Sequence, residues 1–131
     1  MKNNKNILLT GLLLWILFPV CLFAQNSNNK IAEGNQLYRS NDFEGAQKTY
    51  EEVLKTLPES EIGNYNLGNT YYQQQQYDNA IAAFQTAAEL ASSPESRAKS
   101  MHNLGNAYIA EKNYEAGIQA YKQALRDNPA S

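Results

Sequence analysis

The stretches YNLGNTYY (Tyr65–Tyr72) and HNLGNAYI (His102–Ile109) share the core NLGN, in segments whose apolar residues recur at helical spacing. Glycine inside a helix costs about 1 kcal/mol relative to alanine. The same unfavourable residue in the same setting twice therefore points to a packing requirement. Placing Gly34, Gly68 and Gly105 in register extends the match far beyond the glycine. Nine residues on stand Phe43, Tyr77 and Tyr114, and twelve on stand Ala46, Ala80 and Gly117. Sixteen on come Tyr50, Phe84 and Tyr121; nineteen on, Val53, Ala87 and Ala124; twenty-four on, Pro58, Ser92 and Pro129. The glycines are spaced by 34 (68 − 34) and 37 (105 − 68) residues. This many coincident columns over three copies defines a repeat.

Each unit reads as two helices. The first carries the glycine and stops at a polar break: Ser40–Asp42, Gln73–Gln76 and Glu111–Asn113. The second opens on the aromatic and shows helical spacing, as in Tyr77, Ala80, Ile81, Phe84, Ala87 and Ala88. Pro58 and Pro94, each followed by glutamate, are expected to open helices. The three extra residues of the second spacing predict a longer junction or one added turn on the third unit's first helix. The glycines are expected to let paired helices approach, with the small residues Ala80, Ala87, Gly117 and Ala124 opposite them and the aromatics beside.

Composition bounds the rest. The chain has 131 residues, and the first 24 differ from the remainder. Lys2 and Lys5 precede an apolar run from Ile7 to Phe23, and Ala24 then precedes polar sequence. This is the layout of a secretory signal peptide. Two other readings stay open: an uncleaved N-terminal anchor, since 17 apolar-run residues (7–23) reach the lower limit for spanning a bilayer, and lipidation at Cys21. All three place the protein outside the cytoplasm, in a periplasm or cell envelope. Domains are expected at residues 1–24 (signal), 25–29 (short polar linker) and 30–131 (repeats of about 30–58, 61–94 and 95–129).

Beyond residue 24, 9 of the 11 basic residues remain against 13 acids, a balance that disfavours nucleic acid. Cys21 is the only cysteine, so the repeat region must hold together by packing without disulfides. The single histidine, His102, has no second histidine or cysteine to share a metal and no nucleophile at a telling spacing. No catalysis, cofactor or metal is expected. Glu51 and Glu52 read as solvated surface.

The leucine–glycine pair, the aromatic three residues later (Tyr71, Tyr108), the small residue, the second-helix aromatic and the closing proline together resemble the tetratricopeptide repeat (TPR), over Lys30–Pro129. The first unit departs most, with Glu33 for leucine and Leu37 for tyrosine. The resemblance implies an all-α solenoid of three tandem helix–turn–helix repeats after the signal segment, serving as a protein-binding scaffold or adaptor. A self-associating structural module tethered to the membrane is the alternative. More narrowly, LFAQ, EGNQLYRSNDFEGA and the NLGN units are similar to the exported repeat proteins of bacterial aerotolerance operons. That implies an envelope setting beside membrane-anchored partners with von Willebrand A-type domains.

In the family the first helix of each pair lines a concave groove. Carried over, this implies Asn35, Tyr38 and Arg39 from the first unit, Tyr65, Asn66, Asn69, Tyr72 and Gln73 from the second, and Lys99, His102, Asn103 and Asn106 from the third. Asparagine amides can bond an extended peptide backbone, and tyrosines give rigid contact area. Asn35, Asn66 and Lys99 fit the carboxylate clamp of some relatives, but Ile31 and Asn103 stand where basic residues are needed, so a full clamp is not expected. The groove is expected to be free of acids and mildly basic, and so to prefer a neutral or acidic peptide. Ile118, Tyr121 and Leu125 are expected to leave a partly exposed apolar strip on the last helix.

Overall fold

The computed structural model describes residue 22 and residues 25–130; residue 22 apart, the expected signal segment lies outside them. The described residues hold six helices and no strand. In chain order these are α1 (residues 25–39), α2 (Phe43–Thr56), α3 (Glu61–Gln73), α4 (Tyr77–Glu89), α5 (Pro94–Ala110) and α6 (Tyr114–Asp127). They stack as three helix pairs, α2 packing on α3 and α4 on α5 across the units. The fold is a TPR-like all-α solenoid.

The polar breaks end the first helices in one way. Asn41 (φ 63°), Gln75 (φ 59°) and Lys112 (φ 63°) sit seven residues after their glycines in the left-handed region. In each, the next residue's amide reaches back to the carbonyl of the aromatic or leucine column: Asp42 to Leu37 (3.0 Å), Gln76 to Tyr71 (2.9 Å), Asn113 to Tyr108 (2.8 Å). This is the Schellman closure, which satisfies carbonyls that a helix end would leave bare. Asp42 and Asn113 then cap α2 and α6 by accepting from Gly45 and Ala116, while Gln76 makes no such bond to α4.

The repeat glycines allow the expected close approach of the paired helix, and a ring is the nearest group to each. A Cβ on Gly34 would come 2.5 Å from the Tyr50 ring, on Gly68 2.7 Å from Phe84, and on Gly105 2.5 Å from Tyr121. The nearest neighbour of each glycine is the aromatic sixteen positions later, and the small column faces the glycine too: a Cβ on Gly117 would come 3.2 Å from the Gly105 carbonyl oxygen. The missing side chain seats a ring against the first helix. The small column lets the backbones close, as expected: Ala46 and Ala80 are fully buried. Tyr50 with Ala46 and Leu67 forms one core cluster, and Phe84 with Ala80, Leu104, Ala107 and Ala120 forms the next.

Three local expectations are corrected. Residues 25–29 are helical and continuous with α1, not a linker. Ser27 is buried there, and the Gln25 amide bonds Asn29 one turn on. Pro58 does not open α3, which starts at Glu61 behind a Ser60 cap; Pro94 does open α5, within a Ser93–Ser96 capping box. Glu51 is more than a solvated charge, since it accepts from Tyr71 of the next unit (2.9 Å) and from Gln47 (2.7 Å). The added residues of the second spacing go into α5, which has 17 residues against 13 in α3. The junction before it (90–93) is no longer than the one before α3 (57–60), so the added turn is the expectation that holds. The α4–α5 junction is tied down by the Ser92 amide donating to Glu61 (2.9 Å).

Candidate functional groove

All twelve residues expected in the groove lie along one run of three adjoining hollows. The first, of 90 Å³, holds Asn35, Tyr38, Arg39, Asn66 and Asn69, with Tyr50 at its floor. The second, of 190 Å³, shares Asn69 and adds Tyr72, Gln73, Asn103 and Asn106 around Phe84. The third, of 560 Å³, shares Asn103 and continues through Tyr65, Lys99 and His102 to Tyr121. The floor aromatics Tyr50, Phe84 and Tyr121 were not expected to line the groove, although the sixteen-residue column marks them. Nor were Ala98, Ala124, Leu125 and Asn128 of the third hollow, whose place depends on where α6 crosses α5. Glu95 also lines that hollow, so the groove is not free of acids.

The asparagines form a ladder between units. Asn66 donates to the Asn35 side-chain oxygen (2.9 Å) and Asn103 to that of Asn69 (2.9 Å). From the second helices, Tyr50 donates to Asn35 and Tyr121 to Asn106, both at 2.6 Å. Phe84 has no hydroxyl, so Asn69 depends on Asn103 alone. Thus the carbonyls of Asn35, Asn69 and Asn106, one per unit, are taken up inside the protein. Their Nδ2 groups donate to no described residue, and none is a buried orphan. The result is a row of three fixed donors facing the groove. It suits acceptors: backbone carbonyls or carboxylates.

Ring contacts stiffen the walls. Tyr38 stands edge-on to Phe43 (5.3 Å) and Tyr72 to Tyr77 (5.4 Å), while His102 leans on Tyr121 (5.4 Å). Arg39 and Lys99 are exposed and make no ion pair with a described residue. Ile31, at a clamp position, is buried, and Asn103 is committed to Tyr65 and Asn69. Among the described residues no three His, Cys, Asp or Glu side chains gather to hold a metal, and no helix is long and apolar enough to cross a membrane.

Burial pushes the Tyr50 phenol up to about 12, with the neighbouring Tyr38 adding to it. Burial, then the hydrogen bond to Glu51, does the same for Tyr71. A raised folded-state value favours the neutral phenol. The stability these groups contribute is therefore complete below the ordinary value near 10.0 and is lost as pH climbs toward 12. Thermal unfolding should fall over that window, and Tyr50→Phe with Tyr71→Phe should flatten the fall. An unchanged slope in the double variant would refute this.

The comparisons agree with this architecture. The tetratricopeptide repeat model matches residues 60–128, and a further TPR model matches residues 34–75. The chain belongs to the tetratricopeptide repeat family. It is 33% identical over 76 residues to cell division cycle protein 27 homolog A of Arabidopsis thaliana, covering 58% of this chain and only 11% of that protein. Among solved structures it is similar to the N-terminal domain of stress-induced protein-1 from C. elegans (TM-score 0.76, 19% identity, 81% of this chain and 87% of that one). It is equally similar to the first TPR domain of Spaghetti (RPAP3), bound to the HSP90 peptide SRMEEVD (TM-score 0.75, 19% identity, 82% of each chain). At these identities the likeness establishes the fold.

Proposed function

We propose that this protein is an interaction scaffold that takes an extended, neutral or acidic segment of a partner protein along the α1–α3–α5 groove. The observation that carries the reading is the row of Asn35, Asn69 and Asn106 donors, held in place by Tyr50, Asn103 and Tyr121. Donors at repeat spacing match a ligand whose acceptors recur along an extended chain. Arg39 and Lys99, at opposite ends of the groove, favour carboxylates there. The peptide bound by the Spaghetti domain, SRMEEVD, carries acids and is a practical probe. Titrated against this protein, it should bind about tenfold or more tightly than a counterpart with lysine for each acid. Equal affinity, or preference for the basic peptide, would overturn the reading.

The setting we propose is the cell envelope, supported by the signal layout of residues 1–24. Membrane-anchored proteins with von Willebrand A-type domains are then candidate donors of the bound segment. Mass spectrometry of protein from the native cell should find an N-terminus at Gln25. An intact Met1 or a lipid on Cys21 would place the repeats on a membrane instead.

A further inference from the structure

The outer face of α6 is the surface that units 1 and 2 bury against the unit that follows. Twenty residues after the glycine, Leu54 packs at Gly63 of the next unit, and Ala88 is buried. Thirteen after it, Ile81 packs against the cluster of Leu104 and Ala107. Seventeen after it, Glu51 accepts from Tyr71 and Gln85 donates to Tyr108. In the third unit these places are Leu125 (53% exposed), Ile118 (49% exposed) and Lys122, which is exposed too. No described residue covers them. Tyr121, expected in the same strip, is half-buried against Gly105 instead.

The two covered interfaces specify what fits. The covering helix brings Gly63 to the Leu54 place, and carries the buried Ser100 at the same register in the next unit. Three residues on it brings an asparagine to the previous unit's asparagine carbonyl (Asn66, Asn103), and four on a leucine to the core (Leu67, Leu104). Eight on stands the tyrosine facing the Glu51 or Gln85 place (Tyr71, Tyr108). In the third unit a lysine faces that last position, so the partner there must offer an acceptor. The chain's own α1 does not qualify: it presents Asn29, Ala32 and Glu33 at the first three places. Docking it would press a carboxylate into the apolar site.

We infer that the α6 face docks an amphipathic helix of a partner protein with the pattern small-x-x-Asn-Leu-x-x-x-acceptor, the acceptor being a carboxylate that meets Lys122. The asparagine of that helix would donate to Asn106, continuing the ladder. This site adjoins the groove, sharing Leu125 with its third hollow and Asn106 with its second, and is told apart from it by Ile118 and Lys122, which line none of the three hollows.

The probe is a fluorescent peptide copying residues 61–75 with Tyr71→Glu, held helical by a lactam bridge on its opposite face. Titrated with the full chain, it should bind saturably. Ile118→Asp in the protein, or Leu67→Asp in the peptide, should weaken binding about tenfold or more. Lys122→Glu should weaken it as well, and a peptide with Tyr71→Lys should recover the loss. Glu52→Gln, on α2 away from both the groove and α6, should leave binding unchanged. Ile118 is half-exposed, so its variant is expected to keep the wild-type circular dichroism. Absence of binding, or binding indifferent to Ile118→Asp, overturns the inference. So does sedimentation showing a dimer of the full chain that Ile118→Asp abolishes, which would give the face to a second copy.

Discussion

Replacing Phe84 by alanine is expected to lower the free energy of unfolding by about 3–5 kcal/mol, the usual range for emptying a well-packed aromatic site. The ring is 1% exposed, lies against Gly68, and joins Ala80 of its own unit to Leu104 and Ala107 of the next. Its loss would loosen both the helix pair and the junction between units. Against a total stability of about 5–15 kcal/mol, the change is a large fraction. Gly68→Ala should also destabilise. Helix propensity favours alanine by about 1 kcal/mol, but the new methyl would sit 2.7 Å from the ring, and overpacking of this kind costs about 1–3 kcal/mol. Gly68→Ala combined with Phe84→Leu should cost less than the sum of the two, because both act on one contact. Urea unfolding followed by circular dichroism measures all of these. A loss under about 1 kcal/mol for Phe84→Ala would contradict the role given to the ring.

The second large effect is expected in the groove. Arg39→Glu together with Lys99→Glu reverses the charge at both ends of the donor row while touching no core residue. Binding of the acidic probe should weaken about tenfold or more, chiefly through slower association. Wild-type affinity should fall as salt rises, since the Debye length is about 10 Å at 0.1 M. Glu52, an exposed partner of Lys30 on α2, gives the control: Glu52→Gln should change little. Undiminished binding by the double reversal, with the helical signal intact, would put the ligand on another face.

The fold is legible in the sequence because its constraint is long-range and repeated. A glycine and an aromatic sixteen residues apart must meet, so the column survives in all three units even where Glu33 and Leu37 depart from the others. The groove positions follow from that register. What each side chain does there is less legible. Asn35, Asn69 and Asn106 look alike in sequence, yet which amide end faces the groove depends on Tyr50, Asn103 and Tyr121, which lie 15 or more residues away. Glu51 reads as surface because its partner Tyr71 comes from the next unit. Residues 25–29 read as linker because asparagine and serine are poor helix formers, while burial of Ser27 is a tertiary effect that no local pattern displays.

The most direct test of the central claim is a titration of the acidic peptide followed through the side-chain amide signals of the asparagines by NMR. Three free donors in a row should act together. The side-chain NH₂ resonances of Asn35, Asn69 and Asn106 should shift along one saturation curve. That of Asn79, on α4 and bonded to Gln76, should stay fixed. Shifts confined to α2, α4 or α6, with those three signals unmoved at saturation, would contradict the account.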